Sequence, residues 1–83
     1  MILGIYSIRD KKTGYLTPTV DQNDAAAKRN FEHAMMQESN LLFSHPEDYA
    51  LYRIGDFNSD TGFIVPRDPE LIIDGFGYGR GDE

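Results

Sequence analysis

The stretch Val20-Asp21-Gln22-Asn23-Asp24-Ala25-Ala26-Ala27-Lys28-Arg29-Asn30-Phe31-Glu32-His33-Ala34-Met35-Met36 decides the fold, because it carries the clearest helical periodicity in a chain of strands and turns. Ala27, Phe31, Ala34 and Met35 fall on one stripe at 3.6-residue spacing, while Lys28, Arg29, Glu32 and His33 mostly fall outside it. Alanine, lysine, arginine and methionine are good helix formers, so local preference agrees with the pattern. Asp21 is the expected N-cap, with Asp24 three residues on in the acidic capping-box position and Val20 placed to pack on Ala25. Ser39 and Asn40 end the periodicity. A helix with one apolar stripe needs a partner layer, and the remaining segments offer a sheet.

Before the helix, Ile2 to Arg9 is rich in β-branched and aromatic residues and reads as a strand. Leu3, Ile5 and Ser7 share one face and Ile2, Gly4, Tyr6 and Ile8 the other, so both faces are largely apolar, as in a central strand. Turn formers Asp10 to Gly14 lead to a short second strand, Tyr15 to Pro18, whose proline puts it at an edge or at its own end. After the helix, Leu41 to Asp48 is a connection in which Pro46 disfavours helix at His45. Tyr49 to Phe57 alternates as a strand, Asn58 to Gly62 are turn formers, and Phe63 to Pro66 completes a second hairpin. Leu71 to Ile73 is a last short strand or a patch on the core. The expectation is one α+β domain over residues 1–74, with one helix packed across an antiparallel sheet of three to four strands. Residues 75–83, with four glycines in nine positions, are expected to be a flexible acidic tail in which Phe76 and Tyr78 are candidate anchors for a partner.

With 83 residues the core must be thin, and a dimer would add to it. There is no cysteine, which excludes disulfides, a thiolate nucleophile and cysteine-ligated metals. Apolar runs are far shorter than a membrane span needs, so no membrane partner is expected. Net charge is −6, unevenly spread: five basic residues oppose three acidic ones in residues 1–29, and three arginines oppose eleven acids beyond. Such a chain will not coat a phosphate backbone by bulk charge, although a local basic face at the N-terminal end remains.

Chemical motifs are weak. Asp56-Phe57-Asn58-Ser59-Asp60-Thr61-Gly62 spaces oxygen-bearing side chains like the start of a calcium loop, but the glycine comes one position late and Arg67 stands where the last carboxylate belongs. A hairpin loop with Gly62 at positive φ is the better reading. His45 beside Glu47 and Asp48 evokes a general base or a metal site, yet His33, the other imidazole, sits on a different element; a turn is the simpler account. No serine has a nucleophile-elbow setting and no glycine pair opens a phosphate loop, so neither an enzyme nor a cofactor nor a bound metal is expected. The sharper candidate is a nucleic-acid face: Arg9, Lys11 and Lys12 beside Tyr6 and Tyr15, with Lys28 and Arg29 early in the helix.

The run His45-Pro46-Glu47-Asp48-Tyr49, then Leu51-Tyr52-Arg53-Ile54-Gly55-Asp56-Phe57 and a turn ending Thr61-Gly62, resembles the small nonstructural proteins of gokushoviruses, single-stranded DNA phages of the Microviridae. The opening Ile5-Tyr6-Ser7-Ile8-Arg9-Asp10-Lys11-Lys12-Thr13-Gly14-Tyr15-Leu16-Thr17-Pro18 and the helix positions Asp24, Ala25, Ala27, Arg29 and Phe31 are also similar, so the likeness spans about residues 1 to 66. It implies a protein made in the host bacterial cytoplasm, absent from the virion and without a catalytic motif. It also implies a role in single-stranded DNA synthesis or packaging through DNA binding. The shared His45, Pro46, Asp48, Tyr52 and Arg53 then serve the fold or an interaction. The other expectation is an acidic adaptor, as a monomer or a homodimer, acting on the replication initiator, a host factor or capsid-assembly proteins.

Overall fold

The structure, a computed structural model, describes residues 1–37 and 41–76. Its elements are β1 (Ile2–Asp10), β2 (Gly14–Tyr15), β3 (Thr19–Asp21), α1 (Asp24–Met35), α2 (Leu41–Ser44), a 3-10 turn (Pro46–Asp48), β4 (Tyr49–Asn58) and β5 (Ile64–Asp74). All strand pairings are antiparallel: β2 and β3 lie along one edge of β1, β4 lies along the other, and β5 is the far edge. This is the expected α+β fold with β1 central, built on five strands instead of three to four.

Three differences have physical causes. The second strand is split: Tyr15 pairs with Arg9 and Thr19 with Tyr6, so one extra residue is accommodated around Leu16–Pro18, where proline has no N–H for the ladder. Ser7 Oγ donates to the Leu16 carbonyl at 2.6 Å and ties down that bulge. Leu71–Ile73 is not a separate strand, because β5 runs through Pro66 and Pro69; an edge strand tolerates prolines that a central one would not. The helix is capped by Asn23, whose Oδ1 accepts from the Ala26 N–H at 2.9 Å, not by Asp21, which belongs to β3. Val20 pairs with Ile5 across the ladder and stays half exposed, so the expected staple is absent.

The core forms where the apolar stripe of α1 meets one face of the sheet. Ala27, Phe31 and Met35 bury against Tyr6, Leu51 and Tyr49, with Leu42 at the end and Ile8, Ala34, Ile72 and Ile73 at the margin. Strand alternation puts Leu3, Ile5, Ser7 and Arg9 on the opposite face, away from α1. Cross-strand partners Phe57, Gly55, Tyr52 and Ala50 stand beside them. The Asn58–Gly62 stretch is the β4–β5 loop: Asn58 Oδ1 accepts from the Asp60 and Thr61 amides at 2.9 and 3.3 Å, and Gly62 has φ 81°. The expected tail lies outside the described residues from 77 onward, as do Ser39 and Asn40. Gly75 packs where a Cβ would strike the Pro46 and Tyr49 carbonyls.

Candidate nucleic-acid interface

The expected basic cluster separates into three groups. Arg9 and Tyr15 are cross-strand partners on the open face, with the Arg9 guanidinium 5.8 Å from the Tyr15 ring centre. Tyr52 reaches the same place from β4, its ring 5.7 Å from Tyr15 in an edge-to-face arrangement. Arg9, Tyr15 and Tyr52 thus form a continuous array of one cation and two rings, and Arg9 has no carboxylate partner among the described residues. Leu71, the partner of Tyr52 on β5, extends the array with an exposed apolar side chain.

Lys11 and Lys12 form the second group, at the tip of the β1–β2 hairpin, and both face acids. Lys11 Nζ donates to Asp74 Oδ1 at 2.8 Å and to the Glu47 carbonyl at 2.9 Å, and Lys12 Nζ lies 3.6 Å from Asp48 Oδ2. The lysine beside Asp74 holds that carboxyl below its ordinary range. Lys28 and Arg29 are exposed on α1, in the layer on the other side of the sheet. Arg29 borders a shallow depression with Glu32, His33 and Met36. A strand of nucleic acid lying on Arg9 and Tyr15 therefore does not touch Lys28 and Arg29 at the same time.

Of the motif residues, Pro46, Asp48 and Arg53 make contacts that join segments of the fold, while Tyr52 stands in the array with Arg9 and Tyr15. Pro46 is buried as the first residue of the 3-10 turn, and the Asp48 N–H donates to the His45 carbonyl at 3.1 Å. The Asp48 carbonyl in turn accepts from the Lys11 N–H at 2.8 Å. His45 Nδ1 lies 2.7 Å from Ser44 Oγ. Three segments meet here: the hairpin tip, the turn, and the end of β5 through the Gly75 N–H to the Tyr49 carbonyl at 2.9 Å. Among the described residues no group of three His, Asp or Glu side chains is placed to hold a metal ion. Asp56 is engaged by Arg53 and Arg67, and Asp60 by the N-terminal amine at 2.8 Å.

Arg53 is the hub of a polar chain that the sequence did not reveal. Its Nη1 donates to Asp24 Oδ1 at 2.8 Å, its Nη2 to Asp56 Oδ1 at 2.6 Å, and its guanidinium lies 5.6 Å from the Tyr6 ring centre. Tyr6, wholly buried, donates its hydroxyl to the same Asp24 oxygen at 2.5 Å. Its ring lies across Gly4, where a Cβ would collide with it. Burial and then the Asp24 hydrogen bond push the Tyr6 phenol up to about 12. The Tyr6 and Arg53 hydrogen bonds hold the Asp24 carboxyl below its usual value, and Arg53, then Arg67, do the same for Asp56. Burial opposes the Arg53 charge, but the bonds to Asp24 and Asp56 outweigh it.

No helix among the described residues is long and apolar enough to cross a membrane. The model of a family described as Phage ORF5 protein matches residues 3–78. No curated protein matches the chain, and no solved structure does.

Proposed function

Because the chain belongs to the Phage ORF5 protein family, we propose that it is a non-enzymatic gokushovirus accessory protein that binds single-stranded DNA during genome synthesis or packaging. It acts in the host bacterial cytoplasm and stays out of the virion. The observation that carries the reading is the Arg9–Tyr15–Tyr52 array on the sheet face away from α1, with Arg9 and Tyr15 exposed. Every base has a π-face, so exposed aromatic rings bind single strands without reading sequence, and a nearby arginine adds a phosphate contact or stacks itself. A net charge of −6 fits this mode better than backbone coating, because stacking needs few phosphate contacts.

Fluorescence anisotropy with a labelled oligothymidine at several salt concentrations tests the proposal. Tyr15→Ala is expected to weaken binding about 5- to 150-fold, the worth of one stacked base. With only one or two phosphates engaged, the log–log salt slope should be about −1. No binding at low salt, or binding untouched by Tyr15→Ala, sinks the reading.

A second reading has its own observation. Phe63, Ile64 and Val65 are consecutive and 71, 66 and 56 % exposed at the end of the β4–β5 hairpin. Such a patch suits an adaptor that docks a protein, such as the replication initiator, a host factor or a capsid-assembly protein. A photocrosslinker at position 64 in infected cells should then capture one protein, and Val65→Asp should abolish the product; crosslinking only to itself counts against the adaptor.

A further inference from the structure

Between α1 and the sheet lies a cleft of about 190 Å3, half open to solvent, in which Ile8 and Ala34 are partly exposed over the buried Ala27 and Phe31. An enclosed cavity of roughly 150 Å3 holds a whole benzene ring; a half-open cleft of this size can take one edge of a heterocycle of nucleobase size. Its lining includes polar side chains of Thr19 and Asp21 from β3 and Asn30 from α1. Asn30 Nδ2 donates to Asp21 Oδ1 at 3.1 Å, which fixes the carboxylate at the mouth. Asp24, Asp48, Asp56, Asp60 and Asp74 all pair with a cation, whereas Asp21, like Asp10 and Asp68, has no cation partner among the described residues.

A carboxylate beside an apolar slot selects a ring whose edge carries adjacent donors. Guanine offers N1–H next to the N2 amino group. Adenine and cytosine each set one amino group beside a ring nitrogen whose lone pair would face the carboxylate, and thymine has one N–H between two carbonyls. We infer that this cavity is a guanine-binding site, with the ring held between α1 and the sheet and its N1–H and N2–H donated to the Asp21 carboxylate. Ile8 and Ala34 supply the accessible apolar contact, and Asn30 keeps the acceptor in place. The inference rests on the proposed function for one source of the base, a guanine in single-stranded DNA; a free guanine nucleotide presents the same edge.

Titrating the isotope-labelled full chain with GMP, AMP, CMP and TMP, followed by amide chemical shifts, tests the site. GMP should move the amides of Thr19, Asp21, Asn30 and Ala34 and bind about fivefold or more tightly than the other three. Asp21→Asn should remove that preference, and Ala34→Leu, which fills the slot with a good helix former, should abolish binding. Should the leucine variant fail to fold, Asp21→Asn at the rim still decides. Equal response to GMP and AMP, shifts confined to Tyr15 and Tyr52, or GMP binding unchanged in Asp21→Asn each overturns the inference. Oligothymidine with and without one central guanine separates the sources: a gain from that guanine, lost in Asp21→Asn, assigns the base to DNA. Oligothymidine bound through Tyr15 with no GMP in the cavity overturns the guanine site and leaves the DNA reading standing. GMP in the cavity with no oligonucleotide bound does the reverse.

Discussion

Each face of the sheet carries an arginine over a tyrosine ring: Arg53 over Tyr6 at 5.6 Å on the helix side, and Arg9 over Tyr15 at 5.8 Å on the open side. The residue types are the same and their surroundings are opposite. Arg53 is 14 % exposed and bound by two carboxylates, so its charge is spent within the fold. Arg9 is exposed and has no carboxylate among the described residues, so its charge and the rings beside it remain available to a ligand. Similar geometry thus serves cohesion on one face and is left exposed on the other, and the carboxylates make the difference.

The contrast breaks most visibly at the two arginines. Arg53→Met should cost about 2–4 kcal/mol in urea unfolding, because Asp24 and Asp56 lose their main partner beside the buried Tyr6 hydroxyl. Arg9→Met should cost under about 1 kcal/mol, the scale of an exposed cation–π contact, and should act on DNA affinity instead. Equal losses of stability from both would mean that the two faces do not differ as described.

Tyr6 gives the next effect in size. Tyr6→Phe removes the hydroxyl that Asp24 accepts, at about 1–2 kcal/mol near neutral pH. The wild type should also show an alkaline limb. A phenol raised from 10.0 to about 12 keeps its proton longer in the folded state than in the unfolded one. That contribution is whole below pH 10 and is lost as pH climbs through about 12. The Asp24 and Asp56 carboxyls run the other way: their folded values are depressed, so their contribution is present above the ordinary carboxylate range and fades as pH falls through the lower folded values. Unfolding midpoints from pH 8 to 12 for wild type and Tyr6→Phe check this, with the variant's alkaline limb flattened.

The same contrast accounts for what the sequence made legible. Arg9 and Tyr15 are six positions apart across one hairpin, so their meeting follows from local turn chemistry. Tyr52 joins them only because β4 lies beside β1, a pairing that no local pattern encodes. Tyr6, Asp24 and Arg53 come from a strand, a helix start and a second strand, and each looked like an ordinary residue of its own element. Asp24 stood in a capping-box position and serves instead as the acceptor for Tyr6 and Arg53. Asn23 and Asp21 are both good caps, so side-chain chemistry alone could not choose between them; the short β3 pairing with β1 does. Pro66 and Pro69 hid the length of β5, since prolines end a central strand and are tolerated on an edge.

The smallest effect sharpens the comparison at the hairpin tip, which belongs to neither face. Lys11 and Asp74 join the first hairpin to the end of β5, but their side chains are 36 and 41 % exposed, so solvent screens the pair. Lys11→Gln should therefore cost at most about 1 kcal/mol, and 0.5 M salt should erase most of the difference from wild type in urea unfolding. If Lys11 contacted DNA as Arg9 is proposed to do, the same substitution would also weaken oligothymidine binding and lower the salt slope by about 0.7. With its ammonium held by Asp74 and the Glu47 carbonyl, the expected result is a small stability change and an unchanged slope. A slope that did change would place Lys11 in the DNA contact and widen the open-face site to the hairpin tip.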